Sequence, residues 1–319
     1  MDVWKRCGSS GKAGFFKDIC SIAVVRQIFR GKTELRGCGE MKTGIVDVGG
    51  GLRGVYAAGI FDYCLSAGIA FDVCIGVSAG SANVASYMAG QKRRNYSFYT
   101  EYAFRKEYMS LRNFLFKKSY IDMDYVYGTL SNSDGESPID YQALQQNRAE
   151  LLVVATNAST GKAVYFNKDD IKEDDYSILK ASSSIPFVCK PYEIDGVLYY
   201  DGALGDPVPV KKAFQCGCDK VVVILSKPRD EIRLPRKDNI LADRIQRKYP
   251  LAAGQLRRRA EHYNQGVRLA KEYEAQGKVL IVAPDDTCGV DTLTKDREAL
   301  RKFYEKGYHD AYTVLEFLR

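Results

Sequence analysis

No stretch of this 319-residue chain approaches the run of about 20 apolar residues that a membrane-spanning helix needs. Histidine is nearly missing as well. The two that exist, His262 in RRRAEHYNQG and His309 in EKGYHDAY, sit in charged sequence that reads as surface or boundary. A catalytic serine that relies on an imidazole base therefore has almost nowhere to find one. The nine cysteines are scattered and odd in number, and CGC at 216–218 is too tight for a zinc knuckle. This pattern implies no metal and fits reduced thiols in the cytoplasm. Internal repeats, long linkers and nucleic-acid-binding motifs are also absent, so no nucleic-acid partner is expected.

What is there is enough to build one large core, since 45% of residues are hydrophobic and 27% charged. The charge is unevenly placed. Residues 227–278 carry 14 Lys or Arg against 7 Asp or Glu, so the whole net charge of +7 resides in this segment. Such a stretch is either a solvated helix surface or a face for anionic lipid headgroups or nucleic acid.

Residues 1–40 read differently from the rest. Phe15, Phe16, Ile19, Ile22, Val25 and Phe29 fall at helical spacing, which describes a poorly ordered extension or a short amphipathic helix. Asp18 and Arg26 interrupt any signal peptide, and Met41 is a second candidate start. From residue 41 the chain alternates. GIVDV, FDVCIG, LLVVATNA, AVYFN, KVVVILS and KVLIVAP read as strands, with helices between them. Residues 91–127 read as helical, DDYSILKASSSI as helical up to Pro186, and YEI with VLYYDG as a hairpin around Asp195–Gly196. This alternation predicts an α/β domain on a largely parallel central sheet.

Within that frame GVSAGS, residues 76–81, asks for an explanation. A serine on a sharp strand-to-helix turn needs small neighbours two positions either side, and Gly76 and Gly80 supply them. That is the G-x-S-x-G elbow, which presents Ser78 at a helix N-terminus. A glycine-rich turn with an incidental serine is the plainer reading of the same residues.

GGGLRG, residues 49–54, follows the first strand. Gly49, Gly51 and Gly54 match a dinucleotide fingerprint, with Asp72 at nearly the separation its ribose-binding acid requires. Asp72, however, precedes its strand instead of ending it. Backbone amides for an oxyanion fit better, and these are assigned to Gly50, Gly51 and Leu52, with Arg53. A proton acceptor is then needed. Asp201 in YYDGALGDP, at a strand end and followed by Gly202 and Ala203, is the better candidate; its plainer reading is a turn aspartate.

GGGLRG, GVSAG and DGA in this order, with KASSSIPFVCKPYEIDGVLYYDGAL leading to the last, resemble the patatin-like phospholipase family over residues 44–226. The resemblance implies a patatin-like three-layer α/β/α fold and a serine lipid acyl hydrolase of phospholipase A, lysophospholipase or general esterase type. It implies Ser78 as nucleophile, Asp201 as proton acceptor, Gly49, Gly50, Gly51 and Gly54 as the oxyanion loop, and no cofactor. Residues 41–226 then form the catalytic domain, and 227–319 an α/β extension packed on it. Many members carry an acid just before the first glycine; here that position is Val48, and Asp47, one place earlier, is expected on the opposite strand face. A non-catalytic lipid-binding protein and a nucleotide-binding loop are the alternatives. Residues 92–120, rich in Tyr, Phe, Lys and Arg, read either as a lid over Ser78 or as the core of two packed helices.

Overall fold

The computed structural model describes residues 41–319, so the helix expected over residues 15–29 falls outside the described residues. Eight strands form one sheet: β1 Thr43–Asp47, β2 Val73–Val77, β3 Glu150–Asn157, β4 Ala163–Phe166, β5 Tyr192–Ile194, β6 Val197–Asp201, β7 Lys220–Ile224 and β8 Val279–Val282. Their order is β5-β6-β3-β2-β1-β7-β8, with β4 also paired to β3. The five from β3 to β8 run parallel, and β4, β5 and β6 are antiparallel additions beside β3. β1, β2, β3 and β7 read as near-continuous Val, Ile and Leu because helices cover the parallel sheet on both faces.

The helices are α1 Val55–Ala67, α2 Ala79–Met88, α3 Arg94–Thr100, α4 Leu111–Lys117, α5 Tyr141–Gln146, α6 Ser177–Ser182, α7 Val210–Gln215, α8 Arg236–Ile245, α9 Pro250–Glu274, α10 Arg297–Asp310 and α11 Tyr312–Leu318. α1 stops at Gly68 in a left-handed cap, a conformation glycine adopts without a Cβ penalty. α9 buries Ala252, Leu256, Ala260, Tyr263, Val267 and Ala270, the stripe its sequence spacing marks out. α10 lies against α1 so closely that Gly307 and Gly59 have no room for side chains: a Cβ on Gly307 would stand 2.0 Å from the Tyr56 carbonyl oxygen. The hairpin turn is at Asp195–Gly196, both with positive φ.

Two readings need correction. α6 ends at Ser182, short of Pro186, because Ser184 leaves the helix and its carbonyl receives the Asp201 amide at 2.9 Å. Residues 91–127 are not one helical stretch. They break into α3, a short turn at Tyr102–Phe104, the seven-residue α4 and a wide turn at Tyr125–Thr129. Phe98 and Tyr99 are core, whereas Leu111, Leu115 and Phe116 are exposed.

The chain lays β1, β2 and β3 to one side and β7 and β8 to the other, so the strand order reverses at β1. The loops leaving the carboxyl ends of the strands flanking such a reversal part from each other and open a crevice. GGGLRG leaves β1 there, and GVSAGS leaves β2.

Candidate active site

Ser78 occupies a turn that only its neighbours make feasible. Its φ of 57° and ψ of −131° lie outside the ordinary regions for a residue with a side chain. A Cβ on Gly76 would stand 2.4 Å from the Ser81 Cα, and one on Gly80 would stand 2.5 Å from the Asp47 carbonyl oxygen. The turn is held by two bonds into the Ser78 carbonyl, from the Ser81 amide at 2.9 Å and the Ser81 hydroxyl at 2.7 Å. The Ser78 amide donates to Ser182 Oγ at 2.9 Å. The side chain stands at the N-terminus of α2, whose dipole favours developing negative charge.

Strand register brings Asp201 to it. Val77 pairs with Val154 on β3, and Asp201 pairs with the next residue, Ala155. The backbones of Ser78 and Asp201 are thereby about two strand spacings, roughly 10 Å, apart across β3. Ala155, between them, is a small fully buried residue and leaves the span to the two side chains. The Ala203 amide donates to the Asp201 carboxylate at 2.8 Å, and the Ser78 side chain lies close enough to lower the pKa of that carboxyl. Gly202 is obligatory for this approach, since a Cβ there would stand 2.1 Å from the Val154 carbonyl oxygen. Burial raises the Asp201 carboxyl above the ordinary carboxylate range, and the neighbouring Ser78 side chain and the bond from the Ala203 amide oppose that rise. So do Arg259 and Arg233, which both pair with the buried Asp238. These two arginines belong to the basic segment, and nothing local in the sequence ties them to Asp201.

The glycine loop turns back on itself. Gly49, Gly50 and Gly51 all take positive φ, of 67°, 138° and 62°. A Cβ on Gly49 would collide with the Val77 carbonyl oxygen at 2.2 Å, and one on Gly50 with Ser226 Oγ at 2.3 Å. The loop thus sits directly against the serine turn and the end of β7. Asp47 supports it. One carboxylate oxygen accepts from the Gly49 amide at 2.8 Å, and the other from Asn83 Nδ2 at 2.9 Å. Burial pushes this carboxyl up to about 6 against those two bonds. Asp47 does stand on the strand face opposite Val48, which packs with Val46, yet it supports the loop: the chain turns at Gly49, whose amide it accepts.

The assignment of the Leu52 amide to the anion site is corrected, while the Arg53 side chain is directed to other partners. The Leu52 amide donates to the Thr292 carbonyl at 3.0 Å. The Arg53 guanidinium, nearly buried, pairs with Asp291 and reaches Thr292 Oγ1 at 3.1 Å. Gly50 and Gly51 remain the candidate amides for an oxyanion, while Gly54 packs under Tyr99 and Ala79. Asp291 and Thr292 act as a strap on the loop from about 240 positions downstream, and no sequence motif marks them. We expect Asp291→Ala to lower kcat about tenfold with little change in KM, because a loosened loop weakens binding of the transition state more than of the ester. Equal kcat in variant and native protein would show that the strap has no bearing on the loop.

The dinucleotide alternative fails on position. Asp72 lies at the amino edge of the sheet, where it accepts from the Thr43 amide at 2.7 Å, opposite the edge that carries the glycine loop. The histidines stay out of the site: His309 is exposed, and His262 is half-buried beside Asp206. Among the described residues no group of His, Cys, Asp and Glu could hold a metal, and no helix is long and apolar enough to cross a membrane.

Ser78 opens into an apolar cavity of about 60 Å³, lined by Gly51, Leu52 and Thr292 on one side and by Phe98, Met109, Ile121, Met123, Val126 and Ile185 among others. That is well below the roughly 150 Å³ that holds a benzene ring. A longer apolar group enters only if the lining moves.

Comparison with known proteins places these features. Residues 249–319 match a domain of unknown function, DUF6363. The Escherichia coli K12 protein named uncharacterized protein YjjU is 27% identical over 207 residues, covering 60% of this chain and 54% of that one. An uncharacterized NTE family protein of Mycobacterium bovis, Mb1092c, is 30% identical over 82 residues, or 26% of this chain and 22% of that protein. The chain thus spans about half the length, or less, of these curated relatives. The crystal structure of VipD from Legionella pneumophila aligns over 88% of this chain and 67% of that one, at 12% identity and a TM-score of 0.46. The stretch from the end of β1 to α7, residues 48–214, holds the glycine loop, the serine turn and Asp201; it matches the patatin-like phospholipase model, and the chain belongs to that family.

Proposed function

We propose that this protein is a serine acyl-ester hydrolase acting on lipids, of phospholipase A, lysophospholipase or general esterase type, and that Ser78 and Asp201 form its dyad. The observation that supports the reading is the nearness of three separately anchored parts: the strained serine turn, the buried carboxylate beside it, and the glycine loop. In this mechanism Ser78 Oγ attacks the ester carbonyl carbon while Asp201 takes its proton. The carbonyl π electrons move to oxygen, and the oxyanion is held by the Gly50 and Gly51 amides and the α2 dipole; loss of one such donor typically costs about 3–4 kcal/mol of barrier. Collapse breaks the bond to the alcohol, which leaves with the proton from Asp201. Water then adds to the acyl-serine as Asp201 again accepts a proton. The second collapse frees the fatty acid and returns the proton to Ser78. The apolar cavity beside Ser78 suits the acyl portion of the substrate. Peripheral contact with an anionic membrane surface, and residence in the reducing cytoplasm, to which the free cysteines are suited, complete the proposal.

A fluorophosphonate probe and a series of acyl esters of graded chain length test it. Labelling confined to Ser78, with turnover that rises as the acyl chain lengthens, is the expected outcome. Absence of both labelling and ester turnover in folded protein would leave a non-catalytic lipid-binding role in its place.

A further inference from the structure

α4 is unlike every other helix described. Leu111 and Leu115 are 74% exposed and Phe116 is 80% exposed, three large apolar side chains on a seven-residue helix. Solitary exposed leucines need no explanation, but a cluster of this kind marks an interaction site. The helix is the tip of a flap. Met109 and Ile121 bridge each other at its base, with the Ser110 amide bonded to the Tyr120 carbonyl at 3.1 Å. Both of those bridging residues also line the cavity beside Ser78.

The patch continues onto α8. Phe114 stacks on Phe187, itself 43% exposed, with ring centroids 5.6 Å apart. The Arg244 guanidinium lies over the other aromatic partner, Phe187, at 4.3 Å. Ile240, 52% exposed, and Lys237 precede Arg244 by four and seven residues, which sets them on the same helix face. Cations rim this apolar surface. Arg112 and Lys118 have no acidic partner among the described residues, and exposed Arg236, Lys237 and Arg244 stand on the α8 side.

We infer that the α4 flap and the adjoining face of α8 dock on an anionic phospholipid bilayer, with Leu111, Leu115 and Phe116 entering the headgroup–acyl boundary. The charge decides the occupant. A second copy of the chain would set the same cations face to face, whereas anionic headgroups complement them. Docking would place the Met109–Ile121 base at the lipid, where displacement of the flap widens a cavity too small for an acyl chain. The inference names the surface from which the proposed hydrolase takes its substrate, and so rests on that reading.

Cosedimentation of the full chain, carrying Ser78→Ala so that no lipid is turned over, with vesicles of phosphatidylcholine alone and mixed with phosphatidylglycerol is the test. Binding to the mixed vesicles is expected, weakened roughly tenfold or more by Leu115→Ser/Phe116→Ser and about fivefold for each charge reversed in Arg112→Glu/Lys118→Glu. Melting temperatures should stay close to that of the parent, since these side chains stand in solvent. Binding indifferent to phosphatidylglycerol, or untouched by both double variants, would overturn the inference. So would a change of Leu115→Ser/Phe116→Ser from dimer to monomer in solution, which would make a second copy the occupant. Vesicle binding by the native protein, with Ser78 in place, that is accompanied by no esterase activity sinks the hydrolase reading and leaves the docking surface standing.

Discussion

Ser78→Ala removes ester turnover by about six orders of magnitude, the scale on which a lone serine nucleophile is lost, and abolishes fluorophosphonate labelling. The fold survives, because the substitution deletes one oxygen at a position where the hydroxyl is not part of the turn. The bonds that hold the turn come from backbone and from Ser81 and Ser182. Circular dichroism and the melting curve check the fold, and the labelled peptide identifies the nucleophile. Labelling that persists undiminished in Ser78→Ala would move the chemistry to another residue.

Asp201→Asn lowers turnover by about two to four orders of magnitude, the usual range for loss of a general base, while His262→Ala and His309→Ala leave it nearly unchanged. A histidine variant as inactive as Asp201→Asn would replace the dyad with a triad. The pH dependence follows from burial. In the proposed mechanism the carboxylate is the proton acceptor, so activity is expected to rise with pH as Asp201 ionises, on a limb displaced above the ordinary value of 3.8. Stability runs the other way. For a carboxyl raised in the folded state, the stabilising contribution is fully present below the unfolded value and is lost as pH rises through the folded one. The amide of Asp201→Asn keeps an oxygen for the Ala203 N–H and carries no charge to desolvate. It should therefore melt above the native protein at neutral and mildly alkaline pH, the gap closing as the pH falls. A variant melting well below the native protein at alkaline pH would mean that the ionised carboxylate stabilises the fold.

The parts of the site that could be read from the chain are those whose demands are local. A serine at positive φ needs glycines two residues either side, and a buried strand end that approaches β3 needs Gly202, so Ser78 and Asp201 announce themselves within a few residues. The apolar stripe of α9 was legible for the same reason, since a helix repeats its buried face every turn. The face of Asp47 was legible from strand alternation, but its support of the loop was not, because that depends on the turn at Gly49 bringing its amide onto the Asp47 carboxylate. Leu52 was assigned an amide that the fold gives to Thr292, and no property of GGGLRG could reveal an acceptor so far along the chain. Arg233 and Arg259 were visible only as part of a basic run; their nearness to Asp201 comes from how α8 and α9 pack. Residues 92–120 gave one composition for two environments, because aromatic and basic side chains serve equally to line a cavity at Phe98 and to face outward at Phe116.

The strap from Asp291 and Thr292 also sets an order on biosynthesis. A chain emerging from the ribosome exposes the glycine loop, the serine turn and Asp201 long before the residues that hold the loop have been made. Until β8 has joined the sheet and the segment after it has reached Arg53, a growing chain has Ser78 and Asp201 but a glycine loop that lacks its Asp291–Thr292 strap and is supported by Asp47 and the end of β7. In the proposed mechanism, activity would therefore wait on residues made about 240 positions after the loop they hold.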